Sequence, residues 1–117
     1  MTAARIKFGR IDRAEPLSIG GTGDMDILAR VGGGEWQAVG QVEVGAICTF
    51  DGCMSSDDRY AVDTFDAYLY GDEDTTLSVE CFRSEAIKGS RRSRVVRIRT
   101  AAEAKRILKA KIAEALS

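Results

Sequence analysis

The stretch Met25-Asp26-Ile27-Leu28-Ala29-Arg30-Val31-Gly32-Gly33-Gly34-Glu35-Trp36-Gln37-Ala38-Val39-Gly40-Gln41-Val42-Glu43-Val44 decides the class of fold. Met25, Ile27, Ala29 and Val31 recur at a period of two and share one face of a strand. Trp36, Ala38, Val42 and Val44 line the inward face of the returning strand, opposite Gln37, Gln41 and Glu43. Between the two runs, three glycines supply positive φ at no steric cost. The reading is a β-hairpin with one buried face.

Period-two patterning continues on both sides. Ile6 and Phe8 alternate with Arg5 and Lys7 in a short first strand, and Gly20-Gly21-Thr22-Gly23 reads as a turn. That turn lacks the glycine spacing and the following helix of a phosphate loop. Residues 48–59 (CTFDGCMSSDDR) are turn-like, with Asp51-Gly52 the two-residue hairpin signal. A strand from Val62 to about Tyr70 places Phe65, Ala67 and Leu69 on one side and Thr64, Asp66, Tyr68 and Tyr70 on the other. Gly71-Asp72-Glu73-Asp74 reads as a turn, after which Leu77, Val79 and Cys81 alternate with Ser78, Glu80 and Phe82. A basic loop, Lys88-Gly89-Ser90-Arg91-Arg92, leads into a strand over residues 94–99.

The chain closes on a helix. Thr100 and Glu103 form a capping box, and Ala101, Ala104, Leu108, Ile112, Ala115 and Leu116 make an apolar stripe at helical spacing. The fold class is therefore α+β: an antiparallel sheet of about five or six short strands within residues 5–99, and one C-terminal amphipathic helix at about 101–116 packed on one face. Residues 1–117 form a single domain. A lone helix covers one face of such a sheet, so part of the other meets solvent or a partner.

Composition narrows the function classes. The 117 residues, 44% of them apolar, suffice for one core and not two. No apolar run reaches the eighteen residues of a membrane span, and the basic start MTAARIKFGR lacks a secretory apolar segment, so the expected location is the cytoplasm. There is no histidine, which removes the commonest general base and the histidine-dependent triads and zinc sites. An enzyme is not expected, nor a cofactor or metal. The three cysteines Cys48, Cys53 and Cys81 are too few for a zinc site without an aspartate as fourth ligand. If Asp51-Gly52 is the turn, Cys48 lies diagonal to Cys53 at roughly 7–8 Å, too far for an easy disulfide. Packed or incidental thiols are the expected state.

Charge carries the remaining information. Residues 1–80 hold six Lys/Arg against fifteen Asp/Glu, and residues 81–117 hold eleven against three. Such a split either pairs internally or gives the domain two oppositely charged surfaces. The candidate partner-binding residues on the acidic side are Asp57, Asp58, Asp63, Asp66, Asp72, Glu73 and Asp74. Spaced along a rigid sheet edge, they could imitate a phosphate backbone in a nucleic-acid channel. The candidate nucleic-acid-binding residues on the basic side are Arg91, Arg92, Arg97 and Arg99, flanked by Lys105, Arg106 and Lys109. If their strand lay beside residues 62–70, Tyr68 and Tyr70 would share its exposed face and offer rings on which bases stack. The competing reading pairs these arginines with the neighbouring acids and so sets the sheet register.

Ile98-Arg99-Thr100-Ala101-Ala102-Glu103-Ala104 resembles the strand-then-helix ending (F-x-T-x-x-E-A) of the AP2-like arm-binding domains of phage integrases. The likeness implies a three-stranded sheet that reads DNA with a helix behind it. It is confined to this junction, the acidic middle of the chain departs from that family's basic sheet, and no residue role is carried over. In small size, slight acidity and lack of a catalytic kit, the chain is similar to phage-encoded inhibitors of host defence, including anti-CRISPR proteins. The leading expectation is a non-enzymatic interaction module, an inhibitor in character, whose acidic surface docks on a basic, nucleic-acid-handling protein. The alternatives are a nucleic-acid-binding domain using the basic strand and helix, and a homo-oligomer built head to tail from complementary faces.

Overall fold

The computed structural model describes residues 4–13, 22–48 and 60–117. Its strands are β1 (Arg5–Phe8), β2 (Asp12–Arg13), β3 (Thr22–Arg30), β4 (Gln37–Cys48), β5 (Tyr60–Leu69), β6 (Asp72–Glu80), β7 (Phe82–Ala86) and β8 (Ser93–Arg97), followed by the helix α1 (Ala101–Leu116). The main sheet is antiparallel in the order β1-β3-β4-β5-β6, with β2 continuing the β1 edge along β3. Among the described residues, β7 and β8 pair only with each other, as a separate two-stranded ribbon. The architecture is α+β, as the alternation and the terminal helix predict.

Alternation selects the buried face. Met25 and Ile27 on β3, Val42 and Val44 on β4, Phe65 and Ala67 on β5 and Val79 on β6 all point inward, each 4% exposed or less. α1 closes this face with Ala104, Leu108 and Ile112, spaced one turn apart and fully buried. Thr100 starts the helix: its hydroxyl accepts a hydrogen bond from the Glu103 amide at 3.2 Å, the threonine half of the expected box. The stripe is narrower than expected, since Ala101 and Ala115 are exposed and Leu116 is only partly covered.

Three sequence expectations are corrected in and beside the β3–β4 hairpin. Ala38 does not face inward: Ile27 pairs with Gly40 but Leu28 with Ala38, so Val39 is an extra residue in β4. Such a bulge reverses the side-chain phase. Val39 packs on the core and Ala38 is exposed. Val31 lies past the end of β3 and is 63% exposed. Trp36 belongs to the outer side, where Lys7 Nζ and the Arg30 guanidinium stand 4.3 and 4.9 Å from its ring centre.

At the far end, Asp72-Glu73-Asp74 is not a turn. The turn is Tyr70-Gly71, with Gly71 at φ 90°, and Asp72 already pairs with Leu69. Gly71 takes the left-handed position that a side chain resists.

Phe82, read as outward, is 8% exposed. The chain bends at Cys81, whose amide donates to the Asp63 carbonyl at 2.8 Å and whose own carbonyl accepts from the Ile98 and Arg99 amides. This bend turns Phe82 into the core and takes the chain off the sheet into the ribbon. The resemblance to the integrase domains therefore stops at the strand–helix junction, because the sheet under α1 has more than three strands.

Gly40 is the tight point between β4 and β5. A Cβ there would fall inside the van der Waals sphere of the Tyr68 carbonyl oxygen and crowd Leu69 Cα. Gly40→Ala should destabilise the domain at the upper end of the ~1–3 kcal/mol typical of overpacking. Urea unfolding followed by far-UV circular dichroism would show the loss; an unchanged midpoint would mean the two backbones lie farther apart.

Candidate functional site

The face of the sheet away from α1 is built from the residues between the buried ones. Asp24 on β3 pairs in register with Glu43 on β4, Glu43 with Asp66 on β5, and Asp66 with Ser78 on β6. Directly paired residues point to the same side, and neighbouring strands lie about 4.8 Å apart. Three carboxylates on three adjacent strands therefore form one row across the sheet. Asp26, two residues from Asp24, extends the charge by about 6.8 Å along β3. Asp24, Asp26 and Glu43 are exposed, and Asp66 is half-buried. The Ser78 hydroxyl donates to Asp66 Oδ1 at 2.6 Å and holds that carboxylate in place. Beside the row, the Tyr68 hydroxyl donates to Gln41 Oε1 at 2.8 Å, and the Tyr68 and Tyr70 rings meet edge to face at 6.5 Å.

Like charges placed directly opposite each other on neighbouring strands destabilise a sheet. Among the described residues, the ion pairs are Arg83–Glu85 and Arg94–Glu85, both inside the ribbon. The cations of the C-terminal part do not reach the row. Lys111 Nζ donates to the Ser78 carbonyl at 3.0 Å, the Arg99 guanidinium donates to the Glu80 carbonyl, and Lys109 stands 5.6 Å from the Phe8 ring centre. Among the described residues, the row and the C-terminal cations lie on separate surfaces, while Lys7 and Arg30 share the outer sheet face at its Trp36 end.

The candidate residues separate accordingly. Asp57 and Asp58 lie outside the described residues, as do the 48–59 turn and the Cys48–Cys53 geometry. Asp66 is in the row. Asp72, Glu73 and Asp74 begin β6 at the end of the sheet; there Thr75 donates to Asp72, and the Gly71 amide donates to Glu73 Oε1 at 3.0 Å. That bond is the largest cause holding the Glu73 carboxyl below its ordinary value. Tyr68 and Tyr70 do not join Arg97 and Arg99. The ribbon leaves the sheet beside Asp63, and Tyr68 lies five residues up β5, about 17 Å away at 3.4 Å per residue. Arg91 and Arg92 occupy the ribbon turn, Arg97 ends β8, and Lys105, Arg106 and Lys109 ride on α1. Asp24, Asp26 and Glu43 are not among the sequence candidates. Their signal is a carboxylate at successive outward positions, which looks like an ordinary solvated face until the register is known.

Asp63 behaves differently from the row. Ala46 pairs with Val62 and Gly45 with Thr64, so Asp63 is the extra residue of a second bulge and is half-buried. Burial chiefly, then the charges of Glu80 and Asp66, push its carboxyl above 3.8. A raised acid binds its proton more tightly when folded, so the ionised form costs stability. The cost is full above the folded-state value and disappears as pH falls below 3.8. Asp63→Asn should raise the melting temperature at neutral pH, with the difference closing in acid. A lower melting temperature at neutral pH would contradict this.

Cys81 is 1% exposed, and burial is the largest cause of its raised thiol value. It is a packing residue, unsuited to attack as a thiolate. A shallow, largely apolar hollow of about 290 Å³ lies at the helix C-terminus between Ala29, Val31, Val39 and Leu116, away from the carboxylate row. Among the described residues, no group of three or more Cys, Asp or Glu is placed to hold a metal ion. Among the same residues, no helix is long and apolar enough to cross a membrane. Compared with protein-family models, curated proteins and solved structures, the chain matches none.

Proposed function

We propose that this protein is a non-enzymatic interaction module that docks the acidic face of its sheet on a basic surface of a nucleic-acid-handling protein. The observation that carries the reading is the Asp24–Glu43–Asp66 row. Its cross-strand repulsion costs stability, and none of the described cations forms an ion pair with it; a partner with complementary charge would. Rows of carboxylates fixed by backbone pairing need little side-chain ordering on binding and resemble, in regular spacing and sign, a phosphate backbone. In the specific form favoured by the sequence, the module is an inhibitor that occupies the partner's nucleic-acid channel. A cytoplasmic setting suits the free thiol of Cys81.

Affinity capture from cytoplasmic extract with the wild type and with D24N/E43Q/D66N tests this. The wild type should retain a basic nucleic-acid-binding protein that elutes with salt and that nucleic acid displaces; the variant should not. Equal recovery on both would remove the row from the interface.

Self-assembly is the second reading. Arg106 and Lys109 are exposed on α1, on the side of the sheet opposite the row, so copies could stack front to back through a heterologous contact. Light scattering would then report oligomers that dissolve as salt rises.

A further inference from the structure

We propose that the β7–β8 ribbon is an arm that enters the major groove of B-form duplex DNA. Residues 82–97 carry six Lys/Arg and a single acid, Glu85. The arm is anchored at its base and free beyond it. Phe82 is in the core with the Arg97 guanidinium 5.3 Å from its ring centre. Every residue from position 86 to 95 is exposed, including Ile87 at 40% and Val95 at 49%. A two-stranded hairpin alone is marginal in water, and this one has no third strand among the described residues.

Its two faces differ. Phe82 pairs with Arg97, Ser84 with Val95 and Ala86 with Ser93; beyond the base, that face is small and uncharged. Arg83, Glu85 and Arg94 share the other, where Glu85 holds both arginines at 2.6 and 3.6 Å. Lys88, Arg91 and Arg92 stand in the turn with no carboxylate partner among the described residues.

The groove fits the dimensions. Five paired residues per strand at about 3.4 Å give about 17 Å of reach. The B-form major groove is about 12 Å wide and 8.5 Å deep, and it admits a two-stranded β-ribbon. The turn cations would meet phosphates, and Ile87 and Val95 offer apolar contact to thymine methyl groups. The major groove of A-form RNA is too deep and narrow for side chains to read, which selects DNA. The acidic sheet face repels the duplex and favours approach from the basic ribbon.

The test is fluorescence anisotropy of a labelled 20-base-pair DNA duplex titrated with the full chain, alongside the matching RNA duplex and single-stranded DNA. About three phosphate contacts give a log–log salt slope near −2.7, or about fortyfold weaker binding between 50 and 200 mM salt. R91S/R92S, with unchanged circular dichroism, should lower the slope to about −0.9; K88S alone should lower it by about 0.9. RNA duplex should bind at least tenfold more weakly than DNA. No binding at low salt, a variant that binds like wild type, or equal or tighter binding of RNA duplex or single strands would each overturn the proposal.

Discussion

Phe65→Ala should cost the fold about 3–5 kcal/mol, the usual penalty for emptying a buried aromatic site. Phe65 is fully buried on the central strand β5, paired in register with Val44 on β4 and Val79 on β6. α1 closes the same core over it through Leu108 and Ile112. A domain of this size has a total stability of roughly 5–15 kcal/mol, so the loss is a large part of the whole. Urea unfolding should show a much lower midpoint, and Tyr70→Ala, at an exposed turn position, should change little by comparison. The substitution also reaches the function. The pairing that stacks Val44, Phe65 and Val79 inside is the pairing that aligns Glu43 with Asp66 outside, because successive residues point to opposite faces. A near-neutral Phe65→Ala would mean the buried face does not hold that register.

Neutralising the row is the second large effect, with opposite signs on binding and on stability. Close charge pairs across an interface are worth about 1.5 kcal/mol or more each. Three such pairs, at about 1.4 kcal/mol per factor of ten, put the affinity of D24N/E43Q/D66N for a basic partner about a thousandfold below wild type. The substitutions keep shape, and an amide in place of the Asp66 carboxylate would still accept the Ser78 hydroxyl. Binding lost without unfolding is the expected result of a titration at fixed salt. An affinity within a few-fold of wild type would place the partner elsewhere.

Much of the architecture was legible because it rests on local pattern. The helix and its Thr100 cap, the β3–β4 hairpin and the inward residues of β5 follow from periods of 3.6 and 2 and from capping chemistry. The departures are places where a distant contact decides. The bulge at Val39 exists because β3 and β4 are out of step by one residue there, and it exchanged Ala38 for Val39 on the core face. β8, with its alternating Arg94, Val95, Val96 and Arg97, looks like one more sheet strand. What removes it is the bend at Cys81, fixed by hydrogen bonds to Asp63, Ile98 and Arg99.

The candidate site was half legible for the same reason. Asp66 stands out in an acid-rich segment, whereas Asp24 and Glu43 join it only through pairing across three strands. The acid-rich Asp72-Glu73-Asp74 is prominent in the sequence yet sits at the end of the sheet, off the row.

The Asp24–Glu43–Asp66 row is charge with which no described cation forms an ion pair. Thermal unfolding of the wild type and of D24N/E43Q/D66N across a range of sodium chloride tests it without a partner. At low salt the variant should be more stable, by on the order of 1 kcal/mol for two relieved cross-strand repulsions, and the two curves should converge as salt screens the row. A variant that is less stable than wild type at low salt would mean the carboxylates are already paired within the chain, and the row would not be a docking face.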